Sequence, residues 1–123
     1  MPTMTAYANG TFCWPELGTT DQKAAHAFYG DLFDWEFQLF SEMNYGTIAA
    51  EEGGIGGGIG QATGGPAMLT FYVETPDVAA SLNRAASLGG TVVMAETHVM
   101  EGVTIGMFAD PQGHAVGLLK ATE

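Results

Sequence analysis

The spacing of apolar positions along this chain shifts between strand-like and helix-like periods, and it does so twice in the same order. Residues 12–20 (FCWPELGTT) read as a short strand closed by turn residues. Thr20 or Asp21 can then cap a helix, and an acid there suits the positive N-terminal end of a helix. Ala24, Ala25, Phe28, Tyr29, Leu32 and Phe33 recur with helical spacing, which predicts one buried stripe. Residues 35–40, 45–51 and 55–61 follow, each of strand length with glycine or polar punctuation. The order restarts at 67–74 (AMLTFYVE), again a strand. Thr75-Pro76-Asp77 predicts a helix start with a capping hydroxyl, proline at the first helical position and an acid in the first turn. Val78, Leu82, Ala85 and Leu88 share one face, and Gly89-Gly90 stops the helix. Residues 91–99, 103–109 and 115–119 are three further strands, the last two joined by the turn Asp110-Pro111-Gln112-Gly113.

Strand, helix and three strands therefore occur twice, over residues 11–61 and 67–120. Asp21 and Asp77 mark the two helix starts, and Leu32 falls on Leu88 at the same offset. Residue identity between the halves is low, so element order carries the duplication. The expected architecture is α+β: two βαβββ modules in tandem, forming a curved mixed sheet around a cleft, within a single domain spanning 1–123.

Composition narrows what such a fold can do. The chain has 123 residues, 46% of them hydrophobic, which excludes a disordered chain. Fourteen acidic residues face three cations (Lys23, Arg84, Lys120), a net charge of −11. Most carboxylates must then sit in water or face something cationic. Phosphate contacts need clusters of Lys and Arg, so nucleic acid is excluded as a partner, and an anionic membrane surface is disfavoured for the same reason. The N-terminal residues lack a signal-peptide pattern, no apolar run is long enough to span a bilayer, and the lone Cys13 cannot form an internal disulfide. A reducing, cytoplasmic setting is expected.

Two stretches carry more information than composition. The helix in TTDQKAAHAFYGDLFDW and the closing segment LGGTVV…IGMFADPQGHAVGL make the chain resemble the glyoxalase / bleomycin resistance / extradiol dioxygenase superfamily, also called vicinal oxygen chelate. The resemblance covers residues 11–120. It implies paired βαβββ modules and a homodimer, but no single activity, because members include lyases, isomerases, epimerases, dioxygenases and drug-sequestering proteins. In its metalloenzymes, His, Glu or Gln from four strands hold a divalent ion that acts as a Lewis acid. The first-strand position corresponds here to Trp14, the fifth-strand position to about Met68 or Leu69, and the last-strand position to Gly117. On the fourth strand, GGIGGGIG, only Gln61 offers an oxygen. His26, His98 and His114 fall outside these positions. No metal site and no cofactor are expected.

Strand alternation then assigns the cleft. If Trp14 faces it, so do Phe12 and Glu16; Met68 brings Thr70 and Tyr72, and Gly117 brings Ala115 and Leu119. Met94, Met100 and Met107 come from neighbouring strands. The expected pocket is aromatic and methionine-rich, lined by Phe12, Trp14, Glu16, Met68, Thr70, Tyr72, Met107 and Gly117, with adaptable thioethers. A carboxylate beside an inward tryptophan is not buried without purpose. Glu16 can accept a hydrogen bond from a ligand, bind a cationic group beside the indole, or act as a general base; alternatively Pro15 breaks the alternation and turns it to solvent. Cys13 is expected to face the opposite side as a packed core thiol. The leading function is metal-independent binding of a hydrophobic or cationic small molecule, with sequestration in the manner of bleomycin-resistance proteins as the analogy. The alternatives are a lyase, isomerase or dioxygenase-related enzyme acting on a small oxo compound, with Glu16 as the catalytic candidate, and an interaction module with a filled cleft.

Overall fold

The computed structural model describes residues 9–50, 55–62 and 67–121. Glu51, the expected end of the third strand, lies outside them. The elements are β1 (Phe12–Thr19), α1 (Gln22–Phe33), β2 (Gln38–Phe40), a 3-10 turn (Ser41–Met43), β3 (Tyr45–Ile48), β4 (Gly57–Gln61), β5 (Met68–Glu74), α2 (Val78–Ser87), β6 (Thr91–Met100), β7 (Val103–Ala109) and β8 (Ala115–Ala121). Both halves are βαβββ modules. The chain divides into two compact units within β1 and β5: residues 14–69 form one, residues 9–13 and 70–121 the other.

Each helix starts from the same device. The Asp21 side chain accepts from the Ala24 backbone N–H, and that of Asp77 from the Ala80 backbone N–H. Two residues earlier, the Thr19 and Thr75 hydroxyls accept from the Asp21 and Asp77 backbone N–H groups. The cap of α2 is therefore Asp77, and Pro76 precedes the helix; Thr75 makes the turn that leads into the cap. This corrects the expectation that Thr75 caps and Pro76 opens the helix.

The first unit has strand order β2-β3-β4-β1, and the second β5-β8-β7-β6. In each, the module's first strand runs parallel to its last (Glu16↔Gly58; Tyr72↔Gly117), and the other pairs are antiparallel. With Asp21 matched to Asp77, Glu16 falls on Tyr72, and through the pairing Gly58 falls on Gly117. The duplication inferred from element order thus holds in hydrogen-bond topology.

The helices differ in how they seat. In the second unit Val78 and Leu82 are buried with Leu118, and Phe108 packs against them. A Cβ at Gly106 would meet Val78 and Leu82, so this glycine sets the helix-to-sheet distance. Gly46 does the same in the first unit, but against His26. At the positions of Val78 and Leu82, α1 carries Gln22 and His26. No residue of α1, all of them described, is buried; Phe28 and Leu32 are 61% and 57% exposed. The expected buried stripe on α1 is corrected accordingly: Gln22 and His26 occupy sheet-facing positions, Phe28, Leu32 and Phe33 are turned outward, and only Ala25 and Tyr29 of the stripe are half-buried.

The expected strand 35–40 is also shorter. Asp34 ends α1 in the left-handed region (φ 58°), a conformation a short polar side chain tolerates. Trp35 then folds back beside Tyr29 and Phe33, and Phe37 stacks on His26 at 4.5 Å, leaving only Gln38–Phe40 as strand.

Candidate functional site

In the first unit, Trp14 and Glu16 lie on one side of β1, as strand alternation expects. Tyr45 joins them. The Trp14 indole N–H donates to the Tyr45 hydroxyl at 2.7 Å, and that hydroxyl donates to Glu16 Oε1 at 2.6 Å. The chain lies on the side of the sheet opposite α1: Gly46, next to Tyr45, faces His26 of the helix. Glu16 is half-buried and Trp14 buried. A phenol donating to a carboxylate makes a strong, directional hydrogen bond, so the Glu16 group is held in place.

Tyr45 was not among the residues expected from sequence. Its signal lies in β4, where glycines recur at 58 and 60. A Cβ at either position would run into the Tyr45 ring. Alternate glycines on one strand face mark a bulky group lying flat upon it.

In the second unit, Tyr72, Gly117 and Met107 stand side by side across β5, β8 and β7. The Tyr72 ring fills the space that a side chain at Gly117 would occupy. The Thr70 hydroxyl donates to the Ala115 carbonyl at 2.8 Å. Phe12, in the same unit, meets Phe71 edge-to-face at 4.9 Å and is exposed. Met68 belongs to the first unit, is exposed, and lies over Gly18. The structure therefore joins Trp14 with Glu16 in one unit, and Tyr72, Gly117 and Met107 in the other.

The metal positions can now be placed by module symmetry. Trp14 lies seven residues before the cap Asp21, and Thr70 seven before Asp77, so Thr70 rather than Met68 is the fifth-strand counterpart. Gly58 and Gly117 are the paired positions on the last strands. An indole, a hydroxyl already committed to a carbonyl, and two glycines beneath tyrosine rings do not fit a divalent ion of hard-ligand type. Gln61 does not rescue the set: its amide oxygen accepts from Gln22 N and its amide nitrogen donates to Thr20 O, tying β4 to the start of α1. Among the described residues, no group of three His, Cys, Asp or Glu is arranged to hold a metal.

The histidines have local partners. His26 Nε2 lies 3.3 Å from the Ile59 carbonyl, and His98 Nδ1 lies 3.3 Å from Thr104. His114 closes the Asp110 turn; its backbone N–H is the main reason the Asp110 carboxyl sits below the usual carboxylate range. Cys13 is buried and its thiol lies 3.5 Å from the Tyr72 carbonyl. Burial, and secondarily the Glu74 charge, pushes this thiol up to about 12. A thiol protonated in the fold resists alkylation. Cys13 is thus expected to react with a disulfide reagent at pH 8 far more slowly in the folded protein than in urea. Because the folded value lies above the ordinary 9, its contribution to stability is intact below pH 9 and is lost as pH rises toward 12. Equal labelling rates with and without urea would contradict this placement.

Comparison with known proteins adds a family. The family profile matching residues 16–119 is described as a glyoxalase-like domain. The protein CFP32 of Mycobacterium tuberculosis, which carries a glyoxylase name, is 32% identical over 129 residues, covering 98% of this chain and 49% of its own length. The anthracycline biosynthesis protein DauV of a Streptomyces species is 29% identical, covering 91% and 47%. This chain thus spans about half the length of the curated relatives it matches. Among solved structures, methylmalonyl-CoA epimerase from Mycobacterium tuberculosis aligns with a TM-score of 0.68 at 13% identity, over 98% of this chain and 94% of that one. A glyoxalase/bleomycin resistance protein/dioxygenase superfamily member from Vibrio splendidus aligns at 0.60 and 16% identity, over 88% and 96%. No helix among the described residues is long and apolar enough to cross a membrane.

Proposed function

The chain belongs to the glyoxalase-like domain family, and from that premise we propose that it binds a small hydrophobic or cationic organic molecule without a metal. The observation that carries this reading is the Trp14–Tyr45–Glu16 chain, an indole and a fixed carboxylate on one sheet face. An aromatic wall beside a carboxylate suits a planar or cationic group. The net charge of −11 favours encounter with a cation. The anthracycline-biosynthesis name of one relative supports an organic ligand, and sequestration of an antibiotic by a cytoplasmic homodimer is the form this reading takes.

A second reading is an enzyme acting on a small oxo compound, with Glu16 as general base. It is favoured by the glyoxylase name of CFP32 and by the fold shared with methylmalonyl-CoA epimerase. A thermal-shift screen in the presence of a chelator separates the two, using aromatic antibiotics, small α-oxo compounds and, in parallel without chelator, divalent metals. A ligand at 100 times its dissociation constant stabilises by about 2.7 kcal/mol. The binding reading expects this from an organic compound with chelator present. Stabilisation by metals alone, or turnover of an α-oxo compound, would replace it with the enzyme reading.

A further inference from the structure

The other side of the first unit, between α1 and its strands, is not filled by the helix. A cavity of about 260 Å³ lies there, its apolar wall built from Leu17, Tyr29, Trp35, Ile48, Ile59 and Leu69, with Glu16 also on its wall. A second cavity of about 330 Å³ shares Pro15, Trp35, Ile48 and Gly57 with the first, so the two adjoin. Gln22 and His26 stand on α1 at the positions of Val78 and Leu82 on α2, and Tyr29 is the residue of α1 that reaches the cavity.

We propose that these adjoining cavities form a binding site for an amphiphilic cation, a one- or two-ring apolar body carrying one protonated amine. Three observations set the ligand class. The 260 Å³ cavity is lined by both rings of the Tyr29–Trp35 stack (17°, centroids 5.9 Å apart), an aromatic surface that suits a ring. The 330 Å³ cavity adds Asp34 and Glu36, and no Lys, Arg or His is among the described residues lining either cavity. Asp34 is also the C-cap of α1, and the last turn of that helix has no basic residue. The partial negative charge of a helix C-terminus therefore lies at the same mouth as the two carboxylates, uncompensated within the helix. The volumes approach those of small-molecule sites, about 300–1,000 Å³. The apolar body would occupy the 260 Å³ cavity while the amine sits beside Asp34 and Glu36 in the 330 Å³ cavity.

This site does not depend on the Trp14–Tyr45–Glu16 reading, and calorimetry with defined probes separates them. The probes are 1-naphthylmethylamine, protonated at pH 7, and 1-naphthalenemethanol, its neutral counterpart. The amine is expected to bind about five- to ten-fold more tightly than the alcohol, since exposed pairs and a helix end each give modest attraction. In a D34N/E36Q variant most of that preference is lost, leaving the small part due to the helix end, while alcohol binding is retained; both changes are on exposed residues and leave the fold intact. Trp35→Leu weakens both probes. Tyr45→Phe removes the hydroxyl between Trp14 and Glu16, whose side chains lie on the sheet face opposite α1, and leaves both affinities unchanged. No binding of either probe, equal affinities in the wild type, or an amine preference undiminished in D34N/E36Q would overturn the proposal. Amine binding lost in Tyr45→Phe and kept in D34N/E36Q would overturn it too, and would place the amine on the Glu16 face instead.

Discussion

Leu82→Ala is expected to lower the unfolding free energy by about 3 kcal/mol, within the usual range for removing a buried leucine side chain. Leu82 is 4% exposed and shares its core with Val78 and Leu118, and the neighbouring Gly106 lets the helix lie close enough for these contacts. Truncation leaves a hole that the parallel pairing of β5 and β8 cannot collapse to fill. The same substitution on the other helix, Leu32→Ala, removes the same atoms from a side chain that is 57% exposed. It is expected to cost no more than about 0.5 kcal/mol, in keeping with surface substitutions. Urea unfolding of both variants measures the contrast. Equal losses would mean that α1 seals its half of the sheet as α2 does, and the cavity beneath it would have no basis.

The second large effect concerns a glycine. Gly58→Ala places a methyl group where the Tyr45 ring lies, with the hydroxyl and ring edge in its way. Either the ring moves or the strand does. Overpacking of this kind costs about 1–3 kcal/mol, and loss of the hydrogen bonds to Trp14 and Glu16 adds to it. A total near 3 kcal/mol is expected. The ring itself is the cause, so Gly58→Ala should be much cheaper in a Tyr45→Ala background, with a coupling of at least about 1 kcal/mol in the double-mutant cycle. Additive losses would show that Tyr45 does not rest on β4. Gly117 beneath Tyr72 is the same arrangement in the second module, and Gly117→Ala should behave alike.

These two contrasts bear on how much the sequence discloses. The order of strands and helices was legible because each element has a clean period and strong punctuation: the Asp21 and Asp77 caps, Gly89-Gly90, and the 110–113 turn. The side of β1 that carries Trp14 and Glu16 followed from alternation, which Pro15 does not disturb. Two things were not legible. Helical spacing on α1 marked a stripe but not its direction, and the direction was decided by His26 and Gln22, polar residues that contact β4 from the sheet-facing side. Tyr45 escaped because its role depends on a strand pairing across the module. The glycines at 58 and 60 are the seat of its ring. On the fifth strand, Thr70 and not Met68 stands where Trp14 stands on the first, seven residues before the helix cap.

The symmetry also bears on the chemistry. In both modules the first-strand and last-strand positions at which the family's metalloenzymes place ligands hold residues with other duties: Trp14 and Thr70 donate hydrogen bonds, and Gly58 and Gly117 seat tyrosine rings.

The most direct measurement is a calorimetric titration of wild-type protein and Glu16→Gln, both in EDTA, with an organic compound selected by thermal shift. The account predicts that wild-type affinity is the same with and without chelator, and that Glu16→Gln weakens it by about ten-fold, the loss of one charge-assisted contact. Binding that vanishes in EDTA, or that is unchanged in Glu16→Gln, would contradict it.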